Sequence, residues 1–329
     1  MSPKTMLNFQ TEAYNLAEDW CSYLNIKKDS NGYIENINDL VVQLCIETTC
    51  ALVLGRRLGF LCSNTVSNES LRLAEALQDH FKELRDVQFG LPLWKYFKTK
   101  SYQTLVKCEN YIYETVLGMI NDFTEDTSEG TLYASIMKAN IDEREKTAAV
   151  IDFIAAGIHT LKNSLIFLFY LVAKYPDCQK NIIQDLNYAK ACTTESFRLL
   201  PTATPLARIL EQDMTIADYE LGAGSIVLCH NAVACRSETN FHCPNEFIPE
   251  RWLGDERRRA ISAGTFLVIP FGTGRRICPG KRFIELVLPI FLQQTVKNFE
   301  ISTDHVLELQ FEFLRAPKGS MSMTFKQRD

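Results

Sequence analysis

No Cys-x-x-Cys pair occurs among the eleven cysteines of this 329-residue chain, and their number is odd. Neither a paired disulfide scaffold nor a zinc ribbon is indicated, and a reducing compartment fits best. Proline and glycine are sparse, 11 and 15 residues, which argues against collagen-like or low-complexity chains. A basic excess is lacking too: 35 Lys and Arg stand against 40 Asp and Glu, for a net charge of −5. The chain as a whole is therefore no polyanion binder, and any basic partner surface must be local. The opening residues, Met1 to Asn8, have neither the apolar stretch of a secretory signal nor the Arg-rich pattern of a transit peptide. The expectation is that the protein stays where it is made or that its targeting segment is missing.

A long apolar run is absent as well. The longest helical candidate, Asp142 to Lys174, is interrupted by Asp152, His159, Lys162 and Asn163. Its unbroken part, Ser164 to Ala173, falls well short of the roughly 20 residues a membrane span needs, so a buried central helix is expected. What is present is a globular composition, 46% hydrophobic and 23% charged. From Asn8 to about Lys190 apolar residues recur at three- and four-residue spacing, the helical period. Helices are expected over Asp39 to Arg57, stopped near Gly55 and Gly59, and over Tyr102 to Phe123, with a break at Phe89 to Trp94. After Arg198 the texture changes. Met214 to Val227, with Gly222 and Gly224 in its middle, reads as a short hairpin, and Glu300 to Phe325 is again strand-like. No repeat or low-complexity linker divides the chain. One mainly α domain with a small β portion is the economical reading.

The sharpest local signal is Phe271-Gly-Thr-Gly-Arg-Arg-Ile-Cys278-Pro-Gly280. A glycine-rich loop here carries a cysteine to the start of a helix, expected over Pro279 to about Phe299 with Pro279 as its first residue and Pro289 kinking it or ending a hydrogen-bonded turn. The first N–H groups and the positive end of the helix dipole favour a thiolate over a thiol. Glycines at 272, 274 and 280 let the backbone lie flat against something broad. A thiolate beside a flat wall is a soft metal ligand. On the sequence alone, Glu195-x-x-Arg198 is only an i,i+3 pair, worth a few tenths of a kcal/mol at a helix surface.

The spacing Phe-x-x-Gly-x-Arg-x-Cys-x-Gly resembles the haem-binding signature of the cytochrome P450 superfamily. Glu195-x-x-Arg198 and Phe247-Ile-Pro-Glu-Arg251-Trp resemble two further motifs of that family, in the same order, whose side chains form one ion network. The resemblance implies a P450 fold and a haem-thiolate monooxygenase. Its cofactor is haem b, iron protoporphyrin IX, held by Cys278 with Phe271, Gly272 and Gly280 in the loop, and its co-substrate is dioxygen. Arg208 and Arg276 then meet the haem propionates, carboxylates suited to the guanidinium fork. Ala156-Gly157-Ile-His159-Thr160 is similar to the family's oxygen-binding segment. Gly157 opens room for dioxygen, Thr160 bonds it, and His159 stands where the family has an acid, relaying protons in its place.

Arg275, Lys281 and Arg282 form a basic cluster around the cysteine, resembling the mitochondrial branch, whose members dock an adrenodoxin-like ferredoxin electrostatically. Arg257, Arg258 and Arg259 extend that patch or form a loop. Nucleic-acid binding is not expected. Residues 153–163 and 200–208 look similar to insect steroid-hormone hydroxylases, the ecdysteroid (ecdysone 20-monooxygenase-like) group in particular. A lipophilic substrate, a steroid, follows from that likeness, lined by Ile151 to Thr160, Thr202 to Leu206 and Ser320 to Met323. So does a site on the matrix side of the inner mitochondrial membrane, with peripheral membrane association. The resemblance also implies that the family's N-terminal portion and a segment near 176–188 are missing from this single domain. Two other readings stay open at this point. One is a truncated, inactive P450-derived isoform serving as a binding or interaction protein, and the other is a zinc protein using Cys229, His230, Cys235, His242 and Cys243.

Overall fold

A computed structural model describes residues 3–62, 68–121, 131–254 and 266–328. Arg257, Arg258 and Arg259 lie outside the described residues. The first half is helical. Helix α1 (Pro3–Lys27) is followed by a two-residue strand, β1 (Tyr33–Ile34), and then by α2 (Ile37–Leu54), α3 (Asn68–Phe89), α4 (Lys100–Asn121) and α5 (Leu132–Met137). Next come the long α6 (Glu143–Lys174), the short α7 (Cys178–Gln184) and α8 (Leu186–Leu199).

The boundaries follow local chemistry. Asn36 caps α2 by accepting from the Asn38 amide at 3.2 Å, and Gly55 ends the helix in the left-handed region. Asp142 caps α6 by accepting from the Arg144 amide at 2.8 Å, with Glu143 and Glu145 complementing the dipole and Lys174 in the last turn. Asp185 ends α7 and caps α8, so only one residue separates those helices.

The second half carries the β structure. Strands β2 (Leu206–Ile209), β3 (Met214–Ile216), β4 (Tyr219–Leu221) and β5 (Ile226–Cys229) precede the one-turn α9 (Asn231–Ala234). Helix α10 (Lys281–Asn298) leads into β6 (Phe299–Ser302), β7 (Leu309–Glu312), β8 (Leu314–Pro317) and β9 (Met323–Gln327). All pairings are antiparallel: β1-β9-β6 form one sheet, while β2-β5, β3-β4 and β7-β8 form two-stranded ribbons.

Two expectations need correction here, the hairpin turn and the start of the helix after the cysteine. The turn of the 214–227 region is not at its glycines but at Ala217-Asp218, both with positive φ, a two-residue loop whose twist matches that of the strands. Gly222 and Gly224 lie in the link to β5, which pairs with β2 instead. Helix α10 begins at Lys281 with Gly280 as its cap, so Pro279 precedes it. The helix also runs on through Pro289, whose missing N–H costs only the carbonyl of Glu285, an exposed residue that water can serve.

The core is organised around α6, which packs against α2, α8 and α10. Trp20 of α1 stacks on Phe169 of α6, which meets Phe325 of β9 edge-on, and Phe325 in turn meets Phe299 of β6. All four are fully buried, and each contributes about 1.5–3 kcal/mol of transfer free energy. Helices α2 and α6 are long and apolar enough to cross a membrane, yet most of each apolar window is enclosed by protein. The expected central helix is thus a core helix, and α2, which overlaps the helix expected over Asp39 to Arg57, is a second.

Candidate functional site

The cysteine loop is closed by its own backbone. Gly272 N–H donates to Ile269 O at 3.0 Å, Ile277 N–H to Gly274 O at 3.1 Å, and Cys278 N–H to Phe271 O at 2.8 Å. Gly272 and Gly274 adopt φ of +69° and +74°, conformations that side-chain-bearing residues rarely hold. The result is an exposed Cys278 thiol over a glycine floor. A Cβ on Gly274 would meet nothing within 4 Å, and one on Gly280 would meet only the Cys278 Sγ, at 3.6 Å. Phe271 anchors the loop edge-on against Phe197 of α8, with ring centres 5.2 Å apart. From β2, Arg208 reaches over the loop, its Nη2 lying 3.9 Å from where a Gly272 Cβ would sit. Arg276 is exposed on the turn between Gly274 and the cysteine. The fold therefore gathers Cys278, Phe271, Gly272, Gly280, Arg208 and Arg276 in one place.

Behind the loop, the Glu195–Arg198 pair is not the surface pair its spacing suggests. Both side chains are completely buried. Arg198 bonds Glu195 through Nε (2.8 Å) and Nη2 (2.7 Å), and the carbonyls of Cys235, Pro244 and Glu246 through the remaining N–H groups. Arg251 joins at 3.3 Å, as its motif implied. Sequence reasoning missed the Trp252 indole, which donates to Glu195 at 2.9 Å, and the Ile248 amide, which donates at 3.0 Å. The signal was there: Trp252 directly follows Arg251.

The α6 segment differs from expectation at two positions. A Cβ on Gly157 would lie 2.9 Å from Thr49 Cγ2 of α2, so this glycine is required by helix packing rather than by open space. His159 is 2% exposed, stacked on Phe81 with ring centres 4.5 Å apart, and contacts Asn163 at 3.3 Å. Burial, reinforced by the charges of Lys162 and His80, pushes its pKa well below the usual histidine range. With its face covered by Phe81 and a ring nitrogen on Asn163, the ring is shut off from the solvent that a relay would connect to. Thr160 is half-buried and donates to Ala156 O at 2.8 Å. It shares one face of α6 with the exposed Asp152 and Ala156.

The His159 environment gives a signed pH effect. With the folded pKa depressed, the unfolded chain binds the extra proton, so stability is lost as pH falls below about 6.5. His159→Phe should flatten the stability profile between pH 5 and 6.5 by up to about 1.4 kcal/mol per pH unit relative to the parent protein, measured by urea unfolding. Equal slopes in the two proteins would contradict the buried neutral state.

The remaining expectations are placed as follows. Arg275 and Arg282 are exposed, and Lys281 lies 3.8 Å from Glu285, which partly offsets the positive charge there. Ile151, Ala155 and Ala156 line a cavity of about 400 Å³ between α3, α4 and α6, together with Leu77, Phe81 and Ile112. Thr204 and Pro205 line another. Met321 and Met323, by contrast, are buried in the core, because β9 pairs with both β1 and β6. The zinc set does not assemble. Cys235 is buried and turned to Leu267 O, Cys243 meets only its neighbour His242, and among the described residues no three His, Cys, Asp or Glu side chains are placed to hold a metal.

The described fold is mainly α with small β ribbons and presents an exposed cysteine on a glycine floor with guanidiniums beside it. A family model for cytochrome P450 matches residues 2–321, and the chain belongs to that family of haem-iron monooxygenases. It is 36% identical to the ecdysone 20-monooxygenase of Drosophila melanogaster over 360 aligned positions, 99% of this chain and 67% of the relative. It is 27% identical to that organism's cytochrome P450 302a1, mitochondrial, covering 91% of the chain and 65% of the relative. A third relative, the probable cytochrome P450 12a5, mitochondrial, of the same fly is 24% identical, covering 100% and 69%. The chain spans about two thirds of the length of these relatives.

Proposed function

We propose that this chain is the haem-binding portion of a mitochondrial-type steroid hydroxylase acting on an ecdysteroid, with Cys278 as the iron ligand and a ferredoxin as electron donor. The observation that carries the reading is the Cys278 thiol, exposed on a glycine floor with Arg208 beside it. The donor set fits haem b: a soft thiolate for iron, a floor where no Cβ obstructs a planar ring, and guanidiniums for carboxylates at its edge. When bound, haem supplies the activation of dioxygen and the insertion of one oxygen atom into a C–H bond.

The chain's own residues do the rest. Cys278 stands three residues before the first residue of α10, Lys281, so the loop presents its sulfur at that helix's start. Arg208 and Arg276 orient a carboxylate-bearing ring over the loop. The Asp152, Ala156 and Thr160 face borders the reaction side, and the Thr160 hydroxyl, now on Ala156 O, can turn to hold a proton there. Helices α3, α4 and α6 bound a cavity of steroid size, in which Leu77, Phe81, Ile112 and Ile151 supply apolar wall and His80, Glu109 and Asp152 polar groups. The 360 aligned positions exceed this chain's 329 residues, so the relative carries additional residues within the matched span. We place them between Tyr175 and Tyr188, where Asp185 alone joins α7 to α8. The steroid assignment leans on the ecdysone 20-monooxygenase relative and the mitochondrial assignment on relatives named mitochondrial; a place on the matrix side, peripheral to the inner membrane, is part of the proposal.

The test is turnover of ecdysone by the haem-loaded protein with a ferredoxin, its reductase and NADPH. The expected product gains one oxygen atom. Lys281→Glu with Arg282→Glu should lower the rate about tenfold or more at low salt by reversing the docking charge. An unchanged rate would refute the ferredoxin site, and absence of oxygenated product the substrate.

A further inference from the structure

On the face of α6 turned away from Thr160 lies a second chemical environment that the oxygenase reading does not use. Lys162 is 9% exposed and points into a cavity of about 280 Å³ bounded by α2, α3 and the β7–β8 ribbon. No hydrogen bond or ion pair reaches its ammonium among the described residues. Glu312, 4% exposed, spends Oε1 on the amides of Gln78 and Gln310, but its buried Oε2 has no partner. Asn38 donates to Gly319 O while its buried Oδ1 is likewise unpartnered. Asp39, half-buried, also lines the space.

Buried polar atoms without partners are costly, at about 1–3 kcal/mol each, and here two, Asn38 Oδ1 and Glu312 Oε2, converge on one cavity. With the Lys162 ammonium, which the charges of Glu312 and Asp39 favour, the cavity offers one multiple donor and two acceptors. A simple anion would suit Lys162 but meet the carboxylates of Glu312, Asp39 and Glu75, and a cation would meet the ammonium. The group that satisfies all three is one that both donates and accepts, twice over. We propose that this cavity is a diol-recognition site, in which Lys162 donates to the hydroxyl oxygens and Glu312 Oε2 and Asn38 Oδ1 each accept one hydroxyl proton. Two sources carry that chemistry, the hydroxylated end of a steroid and a free polyol. The first rests on the function proposed above and the second does not.

The experiment titrates the haem-loaded full chain with cis-1,2-cyclohexanediol and with cyclohexanol by calorimetry. The diol is expected to bind about tenfold or more tightly than the monool, since one extra satisfied hydrogen bond to a charged group is at stake. Lys162→Met should erase that preference. The substitution replaces a buried lysine side chain by an apolar chain of similar length, so it should fold, as unfolding midpoints will verify. Glu312→Gln supplies a second variant, expected to weaken the diol without changing the monool. Equal affinities for the two probes, or a diol preference surviving both substitutions, would overturn the proposal and leave the cavity to ordered water. Displacement of the bound diol by ecdysone identifies a steroid as the source, and retention identifies a free polyol. Because the readout is heat of binding rather than iron chemistry, its failure leaves the Cys278 assignment standing.

Discussion

Replacement of Cys278 by serine is expected to abolish the thiolate-type absorption band of the reduced, haem-loaded protein under carbon monoxide, while leaving folding stability within about 0.5 kcal/mol of the parent. The two halves of this expectation have separate causes. The side chain is exposed and its backbone N–H is already bound to Phe271 O at 2.8 Å, so the loop does not depend on the sulfur for its shape. A serine hydroxyl, however, stays protonated near neutral pH and is a poor ligand for a soft site. Other cysteines offer no substitute. Burial pushes the Cys21 and Cys50 thiols up to about 12 and Cys235 to about 11, and raises Cys45, Cys108 and Cys192 as well. Among the described residues the other exposed cysteines are Cys62, Cys229 and Cys243, none of which sits on a glycine floor. A thiolate-type band persisting in Cys278→Ser would therefore point to one of these three and remove the basis of the proposed function.

Much of this architecture is legible in the sequence because the signals are local. The α2 and α6 boundaries follow from Asn36, Gly55 and Asp142, each acting on atoms within a turn of itself. The cysteine loop is legible for the same reason, since its glycines, arginines and thiol lie within ten consecutive residues. What could not be read is whatever depends on a partner distant in the chain. Gly157 looks like a gap for a small ligand until Thr49, more than a hundred residues earlier, is found filling it. His159 looks like a proton relay until Phe81 covers its face. The hairpin at 214–227 was misread because glycine is the stronger turn signal in a sequence, whereas Asp218 can also hold a left-handed conformation and the incoming β2–β5 pairing decides the register.

The Glu195–Arg198 pair gives the sharpest contrast between spacing and structure, and the largest expected effect on stability. At a helix surface an i,i+3 pair contributes a few tenths of a kcal/mol, so Arg198→Ala would scarcely be noticed. Here all five guanidinium donors are used: two on one carboxylate and the rest on the carbonyls of Cys235, Pro244 and Glu246, beneath the Phe241 ring. Removing the side chain leaves those carbonyls buried without donors and Glu195 with only Trp252, Ile248 and the longer Arg251 contact. The expected loss is about 3–5 kcal/mol, a large part of the stability of an ordinary domain. Because such a protein could fail to accumulate, Arg198→Lys is the informative companion. Lysine keeps the charge but has three donors and no planar fork, so it should recover less than half of the loss. Urea unfolding of both variants decides the matter, and a loss below about 1 kcal/mol in each would show that the network is not the clamp its geometry describes. The consequence extends to the site, because Phe197, on the same helix, holds Phe271 of the cysteine loop edge-on. A loosened α8 should therefore lower haem retention in Arg198→Lys, measured as the ratio of haem to protein absorbance after gel filtration, even at temperatures where the protein remains folded.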